Sequence, residues 1–179
     1  MLRQLILLLI LSVFLGGCSI FPSEKEIVQH TRESAQQAFK AQTPTANIKS
    51  GTISMYLPSA VKVEEQDANN IILSKGDKQT FIVFYNSMED ESSQLNYQSA
   101  RQKENRLLLK SFKDEDRFGY VRVMPVNKQS KYELQVGQGG VKITTYSKKD
   151  ELEDNAALMM NIAKSIHFKK SSYRARESY

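Results

Sequence analysis

The chain predicts an α+β fold: antiparallel β-sheet carrying a middle helix and a C-terminal amphipathic helix packed on the sheet, preceded by an N-terminal helix. Three observations predict it. From Gly51 onward, short runs rich in Val, Ile, Thr, Phe and Tyr alternate with turn chemistry, the signature of half-buried strands. Leu152, Ala156, Met159, Ala163 and Ile166 recur at alternating spacings of four and three, the period of a helix with one buried stripe. Ser23-Glu24-Lys25-Glu26 is a Ser-x-x-Glu box, in which side chain and backbone cap each other at the start of a helix.

In chain order, Arg3 precedes an apolar run over residues 5–15, whose 11 residues are too few to span a hydrocarbon core that needs ~20. The run ends in Leu15-Gly16-Gly17-Cys18, a motif that resembles a bacterial lipobox. The resemblance implies cleavage before Cys18 by signal peptidase II and a diacylglyceryl thioether on Cys18, joined in some bacteria by a further acyl chain such as palmitate. Cys18 is the single cysteine, so no internal disulfide competes for its thiol. Two or three acyl chains bury tens of methylenes at ~0.8 kcal/mol each, far beyond the marginal hold of one chain. The expected location is the extracytoplasmic face of the cell membrane, or the outer membrane in a two-membrane source, which Ser19 would permit.

After a short tether, a helix over residues 23–41 carries Ile27, Thr31, Ala35 and Ala38 on one stripe, with Val28 and Phe39 beside it. Its alanine-rich stripe predicts light packing, as a stalk, a surface element or a helix docked on the sheet. Pro44 ends it in a polar linker. Strands follow at 52–57, 61–65, 71–74 and 79–86, with Pro58, Asp67-Ala68-Asn69-Asn70 and Lys75-Gly76-Asp77-Lys78 as the breaks. A poorly amphipathic helix is expected at 93–104. Strands resume at 106–113, 117–124, 132–136 and 141–146, with Gly137-Gln138-Gly139-Gly140 as a hairpin turn before the last. The closing helix spans 149–166, with Asp150, Glu151, Glu153 and Asp154 crowding its start, where the helix dipole favours them. These elements divide the chain into a signal at 1–17, a lipidated tether, helix and linker at 18–48, a globular domain at 49–168, and a basic polar tail at 169–179.

A strand ending Tyr56-Leu57-Pro58, a meander, a middle helix, a second meander and a closing helix ending Ile162-Ala163-Lys164-Ser165-Ile166-His167-Phe168 are together similar to the PsbP-like α/β/α sandwich. Members usually carry a Trp soon after that Pro; this chain has none, and Val61 or Val63 stands in the region. The resemblance implies a binding or assembly module, often membrane-attached and without catalysis. It transfers no functional residue.

Function classes narrow from there. The formal charge of +5 falls to +4 when Arg3 leaves with the signal, and it is spread through the surface, unlike the basic stripe of a nucleic-acid binder. No nucleic-acid partner is expected. His30 and His167 fall in different helical regions with no second His or Cys near either, which argues against zinc. No Ser sits in a Gly-x-Ser-x-Gly turn, and Ser165 falls inside a helix. The glycine cluster opens a strand, where a phosphate loop must open a helix. Glu89-Asp90-Glu91 and Asp114-Glu115-Asp116 lack the spacing of a calcium loop and read as solvated loop charges. The expectation is a chain without catalytic, cofactor or metal residues, held to the membrane by lipid on Cys18 and binding an envelope protein or polymer. The alternative is an envelope hydrolase with a carboxylate site, which a pocket lined by converging Asp, Glu or Tyr side chains would favour.

Overall fold

The computed structural model describes residues 22–76, 79–126 and 131–169. The predicted signal at 1–17, the predicted lipidation site Cys18, residues 77–78 and 127–130, and the residues from 170 onward lie outside the described residues. The fold class is as the alternation predicts: among the described residues there are three α-helices and two antiparallel sheets.

Helix α1 (Glu24–Lys40) opens with the capping box: Ser23 Oγ accepts from the Glu26 amide at 3.2 Å, and the Glu26 carboxylate accepts from the Ser23 amide at 2.7 Å. Strands β1 (Ile48–Ser50) and β2 (Ile53–Met55) form a small sheet with β10 (His167–Phe168). The large sheet contains β3 (Val61–Gln66), β4 (Asn70–Lys75), β5 (Gln79–Tyr85), β6 (Leu108–Lys113), β7 (Phe118–Val126), β8 (Lys131–Gln138) and β9 (Val141–Lys148). Their order is β3-β4-β5-β9-β8-β7-β6, so the two meanders join through β5 and β9, with Val83 opposite Ile143. Helix α2 (Leu95–Arg101) bridges the meanders, and helix α3 (Leu152–Ser165) follows a 3-10 turn at Lys149–Glu151.

Helices α1 and α3 run side by side over one face of the large sheet, and the core lies between. Leu152, Ala156, Met159, Ile162 and Ala163 of α3 are buried against Leu134, Val136 and Ile143. The other face carries α2, whose Tyr97 packs on Phe118 and Tyr120 at ring separations of 5.2 and 5.8 Å.

Two local expectations are corrected. Helix α1 does not pack lightly: Thr31, Ala35 and Phe39 are essentially inaccessible, and Phe39 stacks on Phe112 at 5.9 Å. Its alanines let it approach α3 closely, and α3 holds it by its end. The Lys164 ammonium donates to the carbonyls of Ala38, Ala41 (2.8 Å) and Gln42 (3.2 Å), satisfying acceptors that the end of α1 leaves open. His167 is not helical but stands on β10, because α3 ends at Ser165 and the chain turns extended to pair with β2. Strand β1 was not anticipated either, since three residues are too few for a readable period.

Candidate functional site

At the end of the sheet where β8 turns into β9 the backbone demands glycine three times. Gly139 has φ +52°, and a Cβ there would meet the Asp90 carbonyl at 2.3 Å. A Cβ on Gly140 would meet the Asn86 carbonyl at 2.5 Å, and one on Gly137 the Tyr120 ring at 2.4 Å. One positive φ suffices for the turn; the other two glycines let neighbours press on the hairpin. The segment after β5 is pinned there by Asn86 N–H to the Gly140 carbonyl (3.0 Å), Phe118 N–H to the Glu91 carbonyl (2.9 Å) and Asn96 Nδ2 to the Gly139 carbonyl (3.2 Å).

That docking places Glu89, Asp90 and Glu91 on the wall of a cleft of about 310 Å3. Its other wall is the C-terminal end of α3 and the start of β10, contributed by Ala163, Ile166, His167 and Phe168, with Gln138 and Val141 between. Glu89 is held in place, accepting from Asn86 Nδ2 at 2.7 Å and from Ser93 Oγ at 2.5 Å. Gln138 is 5% exposed, and its Oε1 is buried without a hydrogen-bond partner. An orphaned acceptor of this kind costs ~1–3 kcal/mol unless something donates to it.

The electrostatics of this end are one-sided. Beside the cleft, Glu91 also borders a shallow depression formed by Asp114, Glu115, Asp116 and Arg117. Thus the two acidic groups, distant in sequence, share one end of the molecule. Arg117 is committed to Asp114, which its guanidinium holds below the usual carboxylate range. The end of α3 adds the negative pole of its dipole. Its own terminal cation, Lys164, faces away into the carbonyls of α1, where burial and the nearby Arg117 charge push its pKa down. Among the described residues lining the cleft, His167 is the one group able to carry positive charge.

The opposite end differs in sign. Lys75, Lys131 and Lys148 surround a notch with Gln79, Tyr146 and Glu151, close to where α1 begins, and Lys149 donates to the Pro22 carbonyl at 2.6 Å. The open sheet face between the ends carries the Arg122–Glu133 pair, a Tyr120 hydroxyl donating to Gln135 Oε1 at 3.0 Å, and Lys142 lying 4.9 Å from the Phe84 ring centre. Burial lowers the Lys142 pKa, and the Arg122 charge adds to that.

Of the residues weighed in the sequence, His30 is exposed beside Glu153 (3.7 Å), far from His167. Ser165 donates to the Ile162 carbonyl and accepts from the Tyr56 amide, roles that fix the fold. Among the described residues no group of three or more His, Cys, Asp or Glu is arranged to hold a metal ion. No described helix is long and apolar enough to cross a membrane. In the sequence the acidic loops read as solvated charges and Gln138 as a turn residue, whereas Gln138 ends β8 and pairs with Val141; the available signal was a hairpin with more glycines than its turn requires. No family model matches this chain, and no curated protein matches it.

Proposed function

We propose that this chain is a lipid-anchored lipoprotein of the cell envelope, and that its body is a non-catalytic binding module acting on the extracytoplasmic side. The observation that carries the reading is the acid-lined cleft at the end opposite the start of α1. Helix α3 runs between the two ends, and its 14 residues separate them by ~21 Å. A tether leaving from Pro22 toward Cys18 puts the lysine notch nearest the lipid, where anionic headgroups favour it, and leaves the cleft facing outward. The envelope protein or polymer it binds would meet that outer end.

The lining of Glu89, Asp90 and Glu91 is also what a carboxylate hydrolase would offer. Binding is favoured because the Glu89 oxygens already accept from Asn86 and Ser93, and Asp90 Oδ1 from Ser92. Such anchoring suits a group that presents fixed charge.

Two measurements test the proposal. Metabolic labelling with palmitate is expected to mark the parent chain and not Cys18→Ser; equal labelling of both removes the anchor. A photo-crosslinking residue at His167, on the cleft rim, is expected to trap an envelope component in intact cells, whereas one at exposed Tyr146 traps none of it. Identical patterns from both positions would remove the cleft as the binding surface.

A further inference from the structure

We infer that the lysine notch seats the phosphate of an anionic phospholipid headgroup, giving the body a second hold on its membrane beside the lipid on Cys18; this rests on the lipid-anchored reading. Three segments distant in sequence bring the cations together: Lys75 at the end of β4, Lys131 at the start of β8 and Lys148 at the end of β9 line a recess of about 430 Å3. Lys131 stands directly opposite Lys148 across the β8–β9 pair, a placement of like charges that weakens a sheet unless an anion lies between them. The acids nearby are few. Glu151 meets Lys148 at 3.6 Å, and Glu24 accepts from the Tyr132 hydroxyl at 2.7 Å. Among the described residues neither Lys75 nor Lys131 has a carboxylate partner. In sequence, the segments between β4 and β5 and between β7 and β8 add Lys78 and Lys128 against the single acid Asp77. Ammonium groups converging from several strands suit a phosphate, whose charge is spread over several oxygens.

The surroundings assign that phosphate to a lipid surface. Tyr146 lines the notch and is 61% exposed, a ring with a polar tip of the kind that sits at headgroup depth. Lys149, next in the chain after Lys148, donates to the Pro22 carbonyl at 2.6 Å, and Cys18 lies four residues before Pro22, a reach of at most ~14 Å. An adjoining recess sets apolar Pro22 and Ile27 beside Lys149 and Asp150. The two acidic loops stand at the far end, so an anionic surface attracts the notch and repels the cleft.

The test uses the full chain purified from membranes and mixed with vesicles of phosphatidylcholine, with or without phosphatidylglycerol. Flotation reads association, and acetylation by a water-soluble ester, followed by mass spectrometry, reads each lysine. The chain is expected to float with both vesicles. In the anionic ones alone, Lys75, Lys131 and Lys148 should react roughly fivefold more slowly than exposed Lys40 and Lys113, a protection that fades as salt rises. The double variant Lys75→Gln/Lys131→Gln should melt with the parent and still float, while Lys148 loses its protection. Equal acetylation of Lys148 and Lys40 in anionic vesicles, equal protection in both vesicles, or protection of Lys148 kept in the double variant overturns headgroup recognition and leaves the anchor standing. A chain that floats with the anionic vesicles alone keeps the notch and removes the anchor; one that floats with neither removes both.

Discussion

On the helix-covered face of the large sheet Ile71, Leu73, Phe81, Val83, Leu134, Val136 and Ile143 are completely inaccessible, whereas the opposite face mixes buried Tyr120, Arg122 and Gln135 with exposed Ile82 and Tyr146. The covered face is sealed by α1 and α3 over β6 to β9, and burial there is mostly apolar, with the Ser147–Asn155 hydrogen bond between β9 and α3 as its polar exception. The other face is sealed locally by α2, so polar groups buried there must find one another. Tyr120 meets Gln135, which also donates to Thr144 Oγ1, and Arg122 meets Glu133, with the Arg122 Nε left over. Stability should therefore reside mainly in the first face, while substitutions on the second act through hydrogen bonds and charge.

The strongest way to break that contrast is Met159→Asp, which puts a carboxylate at an inaccessible core position and removes apolar contact. Cavity and desolvation costs together reach ~5 kcal/mol or more, the size of a typical domain's whole stability, and a circular-dichroism melt should lack a cooperative transition. Next in size is a chain beginning at Lys49. It lacks α1, exposes the surface that Phe39 and Ala35 cover, and strips Lys164 of its three carbonyl partners. A lower melting temperature and aggregation are expected in scattering and calorimetry; unchanged behaviour would make α1 an accessory of the fold.

On the open face, Arg122→Met should cost ~1–3 kcal/mol, since Glu133 loses its partner in a part-buried site. Adding Glu133→Leu should restore most of that in a double-mutant cycle, because the pair already leaves Arg122 Nε unsatisfied. The smallest effect is reserved for pH. Burial raises the Tyr120 pKa above its ordinary value, so the folded state holds this proton after the unfolded chain has begun to release it. Its contribution is present in full below pH ~10 and is lost progressively as pH rises above that. Tyr120→Phe should flatten this alkaline limb, at a neutral-pH cost of ~1 kcal/mol for the acceptor left on Gln135. An identical alkaline slope in the variant would assign the effect to other groups.

Helix α3 was readable because Leu152, Met159 and Ile166 are large and keep the helical period, and α1 because Ser23 and Glu26 announce its start. The weight of α1 was not readable. Alanines give a weak apolar signal, yet their small size is what permits close packing, and the Lys164 clasp joins residues 123 positions apart at its Ala41 bond. The cleft was hidden for the same reason, since Glu89 and His167 become neighbours only after two meanders and two helices have folded.

By itself the sequence determined the fold class, the helix-start box, the hairpin at 137–140 and the stripe of the closing helix, because each depends on local period or on the conformational demands of nearby residues. Tertiary structure alone decided that β5 pairs with β9, that both acidic loops gather at one end, and that Gln138 Oε1 is buried without a partner. Those outcomes depend on which surfaces meet across the sheet. Pairing and desolvation are properties of the assembled surfaces, and no stretch of chain carries them alone.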